Sequence, residues 1–196
     1  MTTSQNTGTK TATSADAAEN FSRLPRLAGT SLRAWLCFLL VAGIGLTLDL
    51  TSKEAAFAHL GYGYNSAVYE IIPGILELRT TLNGGAVFGI GRGLSILFIM
   101  VSLLAMVFIV YVFICSDRRH WLMHIALGLI LAGAAGNLYD RVFNHGLVRD
   151  FIYIMHYWPW IFNLADAMLC IGVPLLILCW LVQSPRQVAT KPEKSG

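Results

Sequence analysis

Four long apolar stretches, separated by polar segments, dominate the pattern of this 196-residue chain. Each comes close to the roughly 20 apolar residues that a helix needs to cross a bilayer. The segment SDRRH, between the second and third stretches, is too short to form more than a tight turn. The pattern predicts an all-α membrane protein with four transmembrane helices, over about residues 34–51, 94–114, 121–139 and 161–182.

The first of the two longer polar segments predicts a small β-containing region outside the bundle. Within residues 52–92, VYEIIPGILELRTT alternates apolar and polar positions, as half-buried strands do. The segment after the third stretch carries a cluster of aromatic side chains, of the kind that lies at the depth of lipid headgroups. This cluster consists of Tyr153, Tyr157, Trp158 and Trp160.

The two ends of the chain differ from its middle. Residues 1–33 are rich in Thr, Ser and Ala at their start, and such a segment buries too little apolar surface to offset the entropy lost on ordering. We expect it to be a disordered tail, and residues 183–196 to be a basic polar tail. Residues 34–182 would then form one membrane domain.

The distribution of positive charge predicts the orientation in the membrane. The two tails and SDRRH hold nine of the 14 Lys and Arg residues, against four of the 11 acidic residues. Because Lys and Arg are enriched on the cytoplasmic side, both termini are expected to be cytoplasmic. The two longer loops would then face outward.

Composition excludes several classes of protein. With 56% hydrophobic and 13% charged residues, the chain is too apolar for a soluble domain. Its net charge of +3 is spread over ends and loops, without the basic face that a nucleic acid requires. The four cysteines stand apart inside apolar runs, so no disulfide framework or metal site is predicted.

The candidate chemistry lies in aspartates at the outward ends of the spans. An ionisable group in a span costs about 2.5 to 3.5 kcal/mol on insertion scales, so each such group is expected to have a structural or functional role. Asp166 lies one turn into the fourth span, and Asp150 lies in the loop before it. If Asp150 folds back to meet Asp166, the two carboxyls would share one proton and act as acid and base on a water, as in an aspartic protease.

Structural roles for the same residues remain open at this stage. Asp166 could instead pair with Arg141 or Arg149 as a buried ion pair between helices. Asp49 and Lys53 have the spacing of a salt bridge at the end of a helix. A small transporter, or a structural membrane subunit with buried Asp–Arg pairs, is therefore the alternative to a peptidase.

Three asparagines in or beside the spans are also costly in lipid. Asn83, Asn137 and Asn163 could either lock contacts between helices or orient a substrate backbone.

Five sequence blocks in this order resemble the lipoprotein signal peptidase (signal peptidase II) family, which removes signal peptides from bacterial prolipoproteins. The likeness runs from about residue 35 to 182 and coincides with the four-span layout. The blocks are DLTSK at 49–53, NGGAVFG at 83–89, GNLYDR at 136–141, RDFI at 149–152 and FNLADA at 162–167.

The resemblance implies an aspartic endopeptidase with Asp150 and Asp166 as its catalytic pair. Asp140 would be structural. Other positions in the matching blocks would support the site or contact substrate. These are Asp49, Lys53, Asn83, Gly84, Asn137, Arg141 and Asn163.

The resemblance also implies the partners and the location. The substrate would be a prolipoprotein, cut just before a cysteine that carries diacylglyceryl, without metal or cofactor. Globomycin, a cyclic peptide, would inhibit the enzyme. We expect a monomer in the bacterial inner membrane, in contact with membrane lipid, with its site near the outer face and residues 52–92 as a lid.

One departure from the family pattern affects the expected chemistry. Arg149 stands where the family usually has a small apolar residue, directly before Asp150. If it points inward, its charge would depress the pKa of Asp150.

Overall fold

A computed structural model describes residues 28–62, 66–85 and 94–183 of the chain. Four α-helices form the bundle: α1 is Leu32–Leu60, α2 is Ser95–Cys115, α3 is Trp121–Phe143 and α4 is Leu164–Gln183. All four are long and apolar enough to cross a membrane, which confirms the predicted architecture. The remaining parts of the predicted tails, the end of the NGGAVFG block and parts of the predicted lid lie outside the described residues.

The helices extend further on the side of the site than the apolar stretches suggested. Helix α1 continues to Leu60 rather than residue 51, and α3 to Phe143 rather than residue 139. Hydropathy finds only the apolar part of each helix, because it counts charged residues as exposed. Inside the fold, however, Asp49, Lys53 and Asp140 are fully buried and paired.

The start of the described chain also differs from the predicted tail. Ala28–Thr30 form a turn of 3-10 helix, and Ala28 is fully buried. The backbone N–H of Ala28 donates to the carbonyl of Ser116 at 2.7 Å. Ser31 then caps α1, since its hydroxyl accepts a hydrogen bond from the N–H of Ala34.

Helix α3 is the central helix of the bundle and packs against the other three. Its small residues allow this contact. A Cβ at Gly133 would lie 2.5 Å from the carbonyl oxygen of Ala165, and a Cβ at Gly136 would collide with the carboxylate of Asp49. Only glycine lets α4 and the polar residues of α1 approach α3 so closely. Helix α2, by contrast, is mostly exposed and very apolar, as a lipid-facing helix is.

A four-stranded antiparallel sheet, ordered β1-β2-β3-β4, accompanies the bundle. The hairpin of β1 (Tyr69–Ile72) and β2 (Leu76–Asn83) confirms the strands predicted in the first loop. The sequence did not predict β3 (Val148–Ile154) or β4 (Ile161–Phe162) as strands. Because Ile161 and Phe162 pair with β3, α4 begins at Leu164 and not at residue 161.

Candidate active site

Asp150 lies on β3 and is 1% exposed. Its Oδ1 accepts a hydrogen bond from Nδ2 of Asn163 at 2.6 Å, and its Oδ2 accepts one from Nδ2 of Asn83 at 3.1 Å. Antiparallel pairing of β2 with β3 sets Thr81 opposite Asp150, and this register brings Asn83 within reach. The buried carboxyl is therefore held by two neutral amides.

Asp166 lies in the first turn of α4. Its Oδ1 accepts from Nδ2 of Asn137 at 2.8 Å, and its Oδ2 accepts from the backbone N–H of Asn163 at 3.2 Å. Asn163 in turn accepts from the backbone N–H of Asp166 at 3.0 Å. This reciprocal pair of bonds is a capping box, so the local signal that starts α4 also orients the carboxylate.

The side-chain amides of Asn137 and Asn163 connect the two carboxyls. Nδ2 of Asn163 donates to Oδ1 of Asn137 at 3.1 Å, in addition to its bond to Asp150. Asn163 is fully buried and Asn137 nearly so. The three asparagines whose roles the sequence left open thus hold elements together by binding the carboxyl groups themselves.

A buried ion cluster lies behind the pair. Nζ of Lys53 is 2.7 Å from Oδ2 of Asp49 and 3.2 Å from Oδ2 of Asp140, and all three side chains are fully buried. Lys53 also donates to Oδ1 of Asn137 at 3.2 Å. Oδ1 of Asp49 accepts from the backbone N–H of Ala165, at the start of α4, at 2.8 Å. The predicted Asp49–Lys53 salt bridge is present as one part of this cluster.

Arg149 points away from the carboxyl pair. Its guanidinium is 2.8 Å from Asp140 and 2.9 Å from Glu54, and its backbone N–H donates to Asp140 at 3.0 Å. Successive residues of a strand face opposite sides, so Arg149 and Asp150 diverge. Arg149 therefore does not point inward, which was the condition under which its charge would lower the pKa of Asp150.

Arg141 lies beside the site without a carboxylate partner among the described residues. It donates to the backbone carbonyls of Asn137 at 3.3 Å and Gly85 at 3.0 Å, and stacks over the ring of Phe98 at 5.1 Å. Within the described chain, neither arginine forms the ion pair with Asp166 that the structural alternative required.

Burial changes the acidity of Asp150. Loss of solvation, together with the nearby charge of Asp166, raises the pKa of Asp150 from 3.8 to about 7, against the opposing hydrogen bonds from Asn83 and Asn163. A carboxyl with such a pKa holds a proton under mildly acidic conditions, when an isolated aspartate would have lost it. The pair can therefore retain one proton close to neutral pH.

Both aspartates face a cavity of about 730 Å³. Asn83, Asn137 and Arg141 line it as well, whereas Asp49, Lys53, Gly84 and Asn163 do not. Its other walls are mainly apolar and include Leu82, Val148, Ile154, Phe162 and Ile171.

The sequence did not predict the aromatic wall of this cavity. Tyr157, Trp158 and Trp160, expected only at headgroup depth, line it, as does Cys170, one turn beyond Asp166 on α4. The Trp-Pro-Trp run was the available signal, because it directly precedes β4 and the FNLADA block that carries Asp166.

The fold and the site define a four-span membrane protein with two carboxyls, one buried and one half-buried, that are held by amides and border a largely apolar cavity. The model of the family described as signal peptidase (SPase) II matches residues 41–182. The chain belongs to this family, that of the lipoprotein signal peptidases, and is a membrane protease that acts in the removal of signal peptides from prolipoproteins.

Relatives and solved structures agree with this assignment. The chain is 38% identical to a lipoprotein signal peptidase of Desulfitobacterium hafniense, over 62% of this chain and 79% of the relative. It is 35% identical to that of Clostridium novyi, over 71% and 94%. A bacterial membrane enzyme structure, obtained by the in meso method at 2.3 Å resolution, is 32% identical, with a TM-score of 0.69 over 81% of this chain and 93% of the other.

Proposed function

We propose that this chain is an aspartic endopeptidase in which Asp150 and Asp166 activate a water molecule. The proposed reaction cuts a prolipoprotein just before its diacylglyceryl-modified cysteine. The single observation that carries the proposal is the arrangement of the pair. Each carboxyl accepts two N–H hydrogen bonds, and both border one cavity.

In the proposed reaction, one carboxyl is ionised and the other carries the shared proton. Asp166 lies at the N-terminus of α4, where the helix dipole favours a negative charge, so it is the base. It takes a proton from the water, whose oxygen bonds to the carbonyl carbon of the peptide. Asp150 gives its proton to the carbonyl oxygen.

The tetrahedral intermediate then collapses. The bond from carbon to nitrogen breaks, the amine leaves with the proton that Asp166 had taken, and the carbonyl oxygen returns its proton to Asp150. The pair regains its starting protonation, and the products are the signal peptide and the lipid-modified amine terminus. In this proposal no metal or cofactor takes part.

The proposed substrate fits a cavity with few polar groups. Apolar walls beside the carboxyls suit the diacylglyceryl chains and the apolar end of a signal peptide, which already lie in lipid. A globomycin-type cyclic peptide would compete for the same cavity. One chain supplies both carboxyls, so a monomer suffices, in contact with membrane lipid.

The proposed location follows from the distribution of charge. With both termini cytoplasmic in the bacterial inner membrane, the ends of α1 and α3 that carry the site lie toward the outer face. Prolipoproteins would then be cut after their lipid-modified cysteine has crossed the membrane.

Cleavage of a diacylglyceryl-modified prolipoprotein peptide by purified enzyme in lipid tests this proposal. Wild type should cut before the modified cysteine, and Asp150→Asn and Asp166→Asn should not, with thermal unfolding recorded for each. Asp117→Asn is the matched control. It makes the same change in the turn between α2 and α3, away from the pair, and should leave cleavage intact.

The same variants separate the alternatives. A transporter or structural subunit would show no cleavage by the wild type. Full cleavage by a well-folded Asp150→Asn or Asp166→Asn would remove that residue from the catalytic pair.

A further inference from the structure

Lys53 is a fully buried ammonium group directly behind the carboxyl pair. Its Nζ contacts three acceptors: Asp49 at 2.7 Å, Asp140 at 3.2 Å and Oδ1 of Asn137 at 3.2 Å. An ammonium carries three hydrogens, so this set satisfies it. Two contacts balance its charge. The third reaches a residue that lines the cavity and touches Asp166.

The contact with Lys53 determines which way the amide of Asn137 faces. Its Oδ1 meets Lys53, and its Nδ2 donates to Oδ1 of Asp166 at 2.8 Å. Lysine can only donate, so a rotated amide would set two donors together at Lys53 and two acceptors together at Asp166. Asn163 also touches Oδ1 of Asn137, but its N–H₂ group is divided among three acceptors.

We propose that Lys53 is a positioning residue of the catalytic pair, acting through the side-chain amide of Asn137 on the carboxylate of Asp166. The inference rests on the proposed function, because the orientation of this amide affects turnover only if the pair is catalytic. A charged donor on Oδ1 polarises the amide and strengthens its Nδ2 as a donor. Asp166 is thereby held as an acceptor, and the shared proton is left to Asp150.

Among the described residues, three cations lie near the pair, and Lys53 is one of them. Arg149 is turned toward Asp140 and Glu54, and Arg141 binds backbone carbonyls. The charged groups that face this region from α1, α3, β3 and α4 are Asp49, Lys53, Asp140, Arg141, Arg149, Asp150 and Asp166. The charge of Lys53 lowers the pKa of Asp150, so its removal should raise that pKa.

Comparison of Lys53→Met with Arg149→Met tests the inference on purified full-length enzyme in lipid. Each substitution removes one buried cation from beside Asp140, but only Lys53 touches Asn137. Lys53→Met should lower kcat about 100-fold, as misoriented catalytic groups do. It should also move the alkaline limb of the pH profile to higher pH. Arg149→Met should leave the limb in place and keep kcat close to that of wild type.

A double-mutant cycle tests the route through Asn137. If Lys53 acts through this amide, adding Lys53→Met to Asn137→Ala should lower kcat no further. If the kcat of the double variant falls by the product of the two single losses, the inference is overturned. Equal shifts of the pH profile in Lys53→Met and Arg149→Met would overturn it as well.

A second pair of variants separates positioning from folding. Lys53→Met leaves the carboxylate of Asp49 buried without its ion partner, and adding Asp49→Asn removes that charge while keeping an oxygen for the N–H of Ala165. The double variant should regain thermal stability but not kcat. If kcat returns together with stability, Lys53 is only structural. Inactive wild-type enzyme would instead overturn the proposed function itself.

Discussion

Asn163 and Asp166 cap the start of α4 reciprocally. The backbone N–H of Asn163 donates to Oδ2 of Asp166 at 3.2 Å, and the N–H of Asp166 donates to Oδ1 of Asn163 at 3.0 Å. Asn163 also donates from its amide to Asp150 at 2.6 Å. One side chain therefore begins the last helix and links its carboxylate to that on β3.

This double role predicts that the stability and activity effects of Asn163 can be separated. Asn163→Ala should lower the free energy of unfolding by about 1 kcal/mol through loss of the cap. It should also reduce kcat strongly, since Asp150 loses a donor. Asn163→Ser keeps a good cap but not the amide, so stability should return without kcat. Thermal unfolding and steady-state cleavage measure the two quantities, and equal recovery of both would contradict the double role.

The pH profile of cleavage follows from the raised pKa of Asp150. Below about pH 7 this carboxyl holds the proton that the proposed mechanism needs, and above that pH the proton is lost. The value of kcat/KM should therefore fall as pH rises through about 7. Activity that stays level above this point, with folding intact by circular dichroism, would rule out a shared proton on Asp150.

The raised pKa of Asp150 also makes the free energy of unfolding depend on pH. The direction of this dependence is opposite to that caused by an aspartate in a salt bridge. The carboxyl of Asp150 has a pKa of 3.8 as a free group and about 7 in the fold, so the folded state binds the proton more tightly. The free energy of unfolding should therefore fall as pH rises between these values. Asp150→Asn lacks this dependence. As pH rises from 3.8 to about 7, the Tm of wild type should therefore fall relative to the Tm of Asp150→Asn.

Arg149 has one buried and one exposed carboxylate partner, and their removal should have unequal effects. Asp140→Ala leaves Lys53 and Arg149 buried without that partner, at an expected cost of about 3 to 5 kcal/mol. Glu54 is 75% exposed, so Glu54→Ala should cost at most about 1 kcal/mol. Thermal unfolding in one detergent compares them. A Glu54→Ala cost as large as that of Asp140→Ala would contradict the distinction.

The proposed orientation can be checked with single cysteines in a variant lacking the four native ones. Glu70→Cys lies in β1, on the side expected to face outward, and Arg118→Cys lies in the turn between α2 and α3; both native residues are exposed. A membrane-impermeant thiol reagent should label the first in intact cells and the second only after permeabilisation. The reverse pattern would invert the proposed topology.

Hydropathy and charge were enough to predict the four spans and the strands of the first loop. These features follow from local composition, because each apolar stretch must be covered by lipid or by another helix. The ends of α1 and α3 could not be found in this way. They carry Lys53 and Asp140, which are buried because they pair with each other across two helices.

In the candidate site, too, the sequence predicted local features but not those that depend on contacts between distant residues. Residue type and position indicated Asp150 and Asp166, but not whether Asp166 faced an arginine or an amide. That depends on the pairing of β2 with β3 and on the close approach of α4 to α3 at Gly133. These are contacts between distant parts of the chain. The direction of the Arg149 side chain could not be predicted either, because strand β3 was not predicted.

The capping box at Asn163 also has a consequence for the synthesis of this protein. The amide that completes the hydrogen bonds of Asp150, and the backbone N–H that binds Asp49, both belong to the start of the last helix. This helix is synthesised after the other three helices of the bundle. A nascent chain with three helices inserted would therefore carry a carboxyl without its partner, and proteolytic competence would begin only with the fourth insertion. With Asp150 and Asp166 as the proposed catalytic pair, the order of synthesis would keep chains that lack the fourth helix from cutting peptides in the membrane.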